Sequence, residues 1–224
     1  MKKKDFRAER KQHRIEENKK FILQAAEKIF AQRGFGLATM DDIAEEAQFS
    51  KATLYRYYKS KGEIFFEIIY KSVEEVLHKT KKIKKGKISS EKKLRELIYY
   101  VSSYYHKKKN ISRIFIMEKS AMRKILNLDS KEQFMHSSKH PPIPAVFKAK
   151  MEGIFNIMCE IIKEGIKSGE FRNVDIRNAS FILGAMIRGF HFRGPLRDKE
   201  FSLEESTELL HSFFLYGIKK DRKA

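Results

Sequence analysis

Apolar residues spaced three and four apart, with little to interrupt them, constrain this chain most. Ile22, Ala25, Ala26, Ile29 and Phe30 share one face of a 3.6-residue repeat, and similar patterns recur along the sequence. Strands joined by tight turns need frequent glycine and proline, and 224 residues here carry only eleven glycines and four prolines. An all-α fold is therefore expected. A chain of this length can bury a proper core in one or two compact domains.

Stop and start signals divide the helical pattern. Residues 1–14 are almost all charged and read as a basic flexible arm. A first helix is expected from Ile15, ended by Gly34 and Gly36. Thr39 to Asp42 has the form of a capping box for a short second helix, Ser50 suits the N-cap of a third, and Ser60 to Glu63 opens a fourth. The fourth runs into the lysines at 79–87, where Gly86 stops it. Ser90 is the expected cap of a fifth helix reaching about Lys109, and a sixth is expected over 111–126. Asn127 to Pro144, with Ser137, Ser138 and three prolines, reads as a loop. A seventh helix spans Ala145 to Ser168, an eighth opens at Asp175 and ends near Gly194-Pro195, and Ser202 to Glu205 caps a ninth. The boundary between an N-terminal domain (15–60) and a C-terminal one (61–224) falls near residue 60.

Charge narrows the partners. The 48 Lys and Arg exceed the 29 acids, for a formal net charge of +19. Such an excess suits a polyanion, nucleic acid before an anionic membrane, although a lysine-rich composition alone supplies much of it. No apolar run follows the charged start and none is long enough to cross a bilayer, so a cytoplasmic protein without membrane contact is expected. The single cysteine, Cys159, sits among apolar residues and suits packing rather than a disulfide.

The segment from residue 39 to 58 carries the chemistry. Ile43, Ala44 and Ala47 form the inner stripe of its first short helix, Phe49 fills the turn, and Leu54 with Tyr58 form the inner stripe of the second. Small inner residues let two helices cross closely, as a helix-turn-helix requires. Lys51, Ala52, Tyr55 and Arg56 then face outward, flanked by Thr53 and Tyr57, and Ser50 to Lys61 contains no acid. Donors of this kind suit base edges and phosphates. An ordinary amphipathic helix pair with a solvated basic face has the same period.

Four ordered stretches go further: Ile22 to Phe30, Gly34-Phe35-Gly36, Thr39 to Ala47, and Ser50 to Lys61. Over residues 18–66 they strongly resemble the DNA-binding domain of the tetracycline-repressor family. The resemblance implies a three-helix DNA-binding domain joined to a helical effector-binding and dimerisation domain. It implies Thr39 as a cap beside a phosphate and Ser50 at the start of the recognition helix. Lys51, Ala52, Tyr55 and Arg56 would then lie in the major groove, Thr53 and Tyr57 on phosphates, and Lys61 near the DNA backbone. One departure stands out: Gln48 replaces the family's usual turn glycine, at a strain of about 1 kcal/mol if a left-handed conformation is kept.

The C-terminal part resembles the family less specifically, through the stretch Ile162 to Arg172, Asp175 and Phe181 to Ala185. Residues 179–192 are apolar almost all round, which suits a helix packed between its own domain and a partner subunit. Phe181, Ala185, Gly189, Leu210, Phe213 and Phe214 are the expected homodimer seam. Tyr104, Tyr105, Arg113, Met117, Phe147, Met151 and Phe155 are candidates for an effector pocket, in competition with plain core packing. His136 and His140 lack a third ligand, so no metal site is expected. His191 and His211 could meet at the seam, though solvent or backbone partners are the plainer expectation. No phosphate loop, zinc-protease motif or nucleophile elbow occurs, so neither an enzyme nor a cofactor is expected. The sequence reads as a repressor of a pseudo-palindromic operator, released by a small-molecule effector. A nucleoid-organising protein on the same fold, and a helical enzyme or lipid-binding module, are the competing readings.

Overall fold

The computed structural model describes residues 6–108, 143–191 and 200–218. Among them the chain forms eight α-helices: α1 (Phe6–Leu37), α2 (Met40–Glu46), α3 (Lys51–Tyr57), α4 (Lys61–Lys85), α5 (Ser90–Lys107), α6 (Ile143–Ser168), α7 (Ile176–His191) and α8 (Leu203–Ile218). The helix expected over 111–126, most of the loop after it, Arg113, Met117, His136, His140 and the segment around Gly194-Pro195 lie outside the described residues. The described chain divides into two compact units within α4, between Lys71 and Ser72, rather than at residue 60.

The N-terminal unit is built on α1. The helix starts at Phe6, well before Ile15, so described residues of the expected basic arm are helical. Residues 7–20 are mostly strong helix formers, and side chains one turn apart support them: Gln12 Nε2 donates to Glu16 Oε1 at 2.9 Å, and His13 Nδ1 lies 3.4 Å from Glu17 Oε2. Gly34 breaks the helix with φ 71° and ψ 168°, a conformation that any β-carbon would strain. Below the break Phe30, Phe35 and Phe65 meet edge to face or tilted, with ring centroids 5.2–5.5 Å apart. Such pairs contribute about 0.5–1.5 kcal/mol each beyond the area they bury. Ile22, Ala26, Ile43, Leu54 and Ile64 complete this core, so the expected inner faces of α1, α2 and α3 do point inward.

In the C-terminal unit α5, α6, α7 and α8 pack around Leu94, Leu97, Ile98, Ile161, Ile162, Phe171, Leu183, Ile187, Leu210 and Phe214. Each fully buried apolar side chain of this size contributes roughly 1.5–3 kcal/mol. Gly165 admits the Phe171 ring, since a β-carbon there would stand 2.1 Å from Cδ2. The caps largely follow the expected signals. Ser202 and Glu205 exchange both bonds of a capping box, and Asp175 accepts the N–H of Asn178. One cap is shifted: Ser89, not Ser90, accepts from Lys92 N, and Ser90 is buried inside the first turn. Both are serines, and the carboxylate of Glu170 decides between them by accepting the N–H groups of Ser90 and Glu91. α6 begins at Ile143, two residues before Ala145, because proline is tolerated in a first helical turn.

Candidate nucleic-acid interface

α2 and α3 are seven residues each, too short to persist alone, so neighbouring groups must hold them. Thr39 Oγ1 accepts from Asp42 N at 3.1 Å, and Asp42 Oδ2 accepts from Thr39 N at 2.9 Å. Arg33 Nη1 lies 2.8 Å from the other Asp42 oxygen. The Asp42 carboxyl is held below its ordinary pKa by these bonds with Thr39 and, less, by Arg33.

α2 ends in a left-handed turn. Gln48 has φ 56°, the one positive value outside glycine among the described residues. Gln48 N–H donates to Glu45 O at 3.0 Å and Phe49 N–H to Ala44 O at 2.9 Å. That pair of bonds is the Schellman arrangement, whose left-handed position is usually glycine. The strain anticipated for Gln48 is therefore present.

The turn delivers α3 with Ser50 as its N-cap, accepting from Thr53 N at 3.1 Å. Leu54 and Tyr58 are buried, whereas Ser50, Lys51, Ala52, Tyr55 and Arg56 are exposed and Thr53 and Tyr57 half-buried. The surface offered outward is thus the expected one. Two of its side chains carry partners that the sequence did not suggest. Lys51 Nζ is 2.9 Å from Asp41 Oδ2, so the acids of α2 are not wholly segregated from α3. Asn18 Nδ2, on α1, donates to Tyr57 Oη at 2.8 Å, which leaves the tyrosine's own proton to donate elsewhere. The Arg56 guanidinium lies 5.7 Å from the Tyr57 ring centroid. Nothing in local spacing signals an Asn18–Tyr57 bond across 39 residues.

Behind this surface Tyr58 Oη donates to Glu67 Oε2 at 2.9 Å, and Lys71 and Lys19 stand 3.1 and 3.5 Å from that carboxylate. Burial and the Glu67 charge push the Tyr58 hydroxyl far above its ordinary pKa. Burial also raises Glu67, but the bonds from Tyr58 and Lys71 outweigh it and the net shift is downward.

Lys61 departs from expectation. Its ammonium does not point to solvent: it donates to the carbonyls of Phe35, Gly36 and Ala38, each at 2.8 Å, and lies 4.9 Å from the Phe35 ring centroid. The last carbonyls of a helix lack intrahelical partners and favour a nearby cation, which is what Lys61 supplies to those of Phe35, Gly36 and Ala38.

The C-terminal candidates divide. Phe181 and Phe213 are 64% and 67% exposed, Gly189 is exposed and Ala185 half-buried, and Ile182 and Tyr216 add 52% and 90%. Leu210 and Phe214, expected at the dimer seam, are instead buried in their own unit's core, because the inner stripe of α8 runs through them. Of the pocket candidates, Tyr105 and Phe155 pack against that core, Tyr104 and Phe147 are half-buried, and Met151 is 42% exposed. Burial raises the Tyr105 hydroxyl above its ordinary pKa. His191 stacks on Tyr105 at 5.2 Å, and His211 Nε2 stands 3.3 Å from the carbonyl of Glu91, so the two histidines have separate surroundings. Cys159 is half-buried and free. Among the described residues no group of three metal-binding side chains occurs, and no helix is long and apolar enough to cross a membrane.

A capped short helix, a tight left-handed turn and a second helix with a donor-rich outer face define a helix-turn-helix DNA-binding protein. The pattern described as "Bacterial regulatory proteins, tetR family" matches residues 22–68. An uncharacterised helix-turn-helix transcriptional regulator of Bacillus subtilis, YhgD, is 27% identical over 188 residues, 82% of this chain and 90% of that protein. The fatty acid metabolism regulator protein of B. subtilis is 22% identical over 88% of this chain and 93% of its own length. The crystal structure of B. subtilis FadR in complex with stearoyl-CoA shares the fold, with a TM-score of 0.66 at 20% identity, covering 88% of this chain and 97% of that one. Residues 22–68 thus carry the DNA-binding pattern of the tetR family, and most of the chain is similar to a helix-turn-helix transcriptional regulator.

Proposed function

We propose that this regulator is a homodimeric repressor that reads a pseudo-palindromic operator with α3 and leaves it when a small-molecule effector binds the C-terminal unit. One observation carries the reading: Lys51, Ala52, Tyr55 and Arg56 stand exposed together on a helix whose other face is pinned by Leu54 and Tyr58. Tyr55 and Arg56 would contact base edges, with Ala52 leaving room for close approach. Ser50, Lys51, Thr53, Tyr57 and Thr39 would contact phosphates. Such a partner places the protein in the cytoplasm, with no membrane and no enzymatic step. The effector would enter among Tyr104, Tyr105, Phe147, Met151 and Phe155. The stearoyl-CoA complex of a protein with this fold makes a long-chain acyl-CoA the first effector class to test. A ligand that prefers one conformation of the dimer shifts it away from the DNA-competent one.

An operator titration tests the reading. With about six to ten phosphates neutralised per dimer, affinity should fall roughly 10³–10⁵-fold between about 50 and 200 mM salt. Tyr55→Ala and Arg56→Ala should each weaken the operator complex by about 1–3 kcal/mol and narrow its advantage over random duplex. A flat salt response, or equal losses on operator and random DNA, refutes it. Binding at many genomic sites with no small-molecule release would favour a nucleoid-organising role instead.

A further inference from the structure

We infer that Lys61 is a positioning residue: it fixes the link between α1 and α2, and through it the recognition helix, rather than contacting a DNA phosphate. The inference rests on the DNA-binding reading above. A lysine ammonium has three N–H donors. Here all three are spent, each at 2.8 Å, on the carbonyls of Phe35, Gly36 and Ala38, and the charge also lies over the face of the Phe35 ring. Three convergent carbonyls form a tripod that suits a compact ammonium and not a planar guanidinium.

The location of the tripod gives it consequence. Gly34 breaks α1 at φ 71°, so residues 35–37 form only a short last turn, closed by the bond from Ala38 N–H to Gly34 O at 3.3 Å. Ala38 immediately precedes Thr39, the N-cap of α2. Lys61 reaches this stretch from the first residue of α4, across 23 to 26 residues of sequence. Phe35, the ring beneath the ammonium, is itself locked between Phe30 and Phe65. On the other side Arg33 ties α1 to Asp42 of α2. α3 follows α2 through the fixed turn at Gln48, so movement of the 35–38 stretch carries the whole outer face of α3 with it. A phosphate bond at the same ammonium would have to displace one of the three carbonyls.

Salt dependence separates the two roles, because counterion release counts phosphate contacts and not internal bonds. Wild type, Lys61→Gln and Lys61→Arg are titrated with operator duplex over a range of salt. If Lys61 positions, both variants lose affinity, by about tenfold or more, while the slope of log affinity on log salt stays that of wild type. If Lys61 contacts a phosphate, Lys61→Gln lowers the slope by about 0.9 per site, near 1.8 for a dimer, and Lys61→Arg binds as wild type. That second pattern overturns the inference. A measurement on the unaltered protein guards against variants that do not fold. The Lys61 ammonium protons, observed by 15N NMR without DNA, should exchange slowly with water; exchange as fast as that of the exposed Lys59 also overturns it. Wild type that binds no duplex would instead defeat the DNA-binding reading, and the NMR result would still report on the tripod.

Discussion

Replacing Gln48 by glycine should stabilise the N-terminal unit. Gln48 occupies the left-handed position of the turn after α2 at φ 56°, held there by the bonds Gln48 N–H to Glu45 O and Phe49 N–H to Ala44 O. A residue with a β-carbon loses about 1–2 kcal/mol in that conformation, through the clash of Cβ with the following carbonyl. Glycine removes the clash, but its looser unfolded chain returns roughly 0.5–1 kcal/mol. The Gln48 side chain is exposed, so little packing is forfeited. The net gain is therefore about 0–1.5 kcal/mol, centred on ~0.75 kcal/mol, or roughly 2–3 °C in the midpoint of thermal unfolding for a chain of this size. Gln48→Ala separates strain from side-chain effects, since it keeps the β-carbon and should leave stability close to wild type. Urea unfolding followed by circular dichroism measures all three proteins, and amide exchange at Phe49 reads the turn itself. The presentation of α3 is unchanged, so operator affinity of the folded Gln48→Gly protein should stay within about twofold of wild type. A glycine variant no more stable than the alanine variant would refute the strain.

Two further outcomes follow from the C-terminal unit. Phe213→Glu places a charge where a lone protomer is open to solvent but a dimer seam would bury it. It should give a monomer by light scattering, with operator affinity cut by more than about tenfold and folding intact; a dimer that binds normally would put the seam elsewhere. Burial first, and Arg95 with it, lowers the pKa of His211 below 6.5 against the opposing bond to Glu91 O and the charges of Glu91 and Glu208. The unfolded chain thus takes up the proton first. This contribution to stability is complete above about pH 6.5 and declines as pH falls through the folded value. Urea midpoints at about pH 7.5 and 5.5 should differ in that direction and differ less in His211→Asn; an equal difference in both proteins would place the effect elsewhere. Glu67 and Glu170, both held below 4.5, extend the loss at lower pH.

What the sequence made legible was what local chemistry decides. The apolar stripes of α1, α2 and α3 and the caps at Thr39, Ser50, Asp175 and Ser202 concern residues one to four apart, where the helix period ties spacing to direction. The start of α1 escaped because a charged stretch without apolar period reads equally as arm or exposed helix. The cap at Ser89 was missed because a carboxylate about 80 residues away, Glu170, chooses between two adjacent serines. Lys61, Asn18 and Leu210 show the same limit within the site. Their types suit phosphate, solvent and interface respectively, and only tertiary placement gives the lysine three carbonyls, the asparagine a tyrosine hydroxyl and the leucine a core.

The pattern of these long-range bonds has a functional reason. A seven-residue helix cannot hold its own shape in water, so without support α3 would have to become ordered as it bound DNA. Ordering costs roughly 1–2 kcal/mol per backbone residue, enough to consume the gain from several base contacts. Its supports lie at its ends and on its inner side: Ser50 at the cap, the bonds of Gln48 and Phe49 before it, Leu54 and Tyr58 beneath it, and Asn18 at the Tyr57 hydroxyl. Tyr55 and Arg56 remain exposed, and Arg56 leans on the Tyr57 ring that Asn18 has fixed. Lys51 is the exception, paired with Asp41 while both side chains are more than 60% exposed. A pair that open to water contributes little, so exchanging the carboxylate for a phosphate costs little. The groups best suited to base edges are thus held by the fold, and the lysine suited to a phosphate is held only loosely.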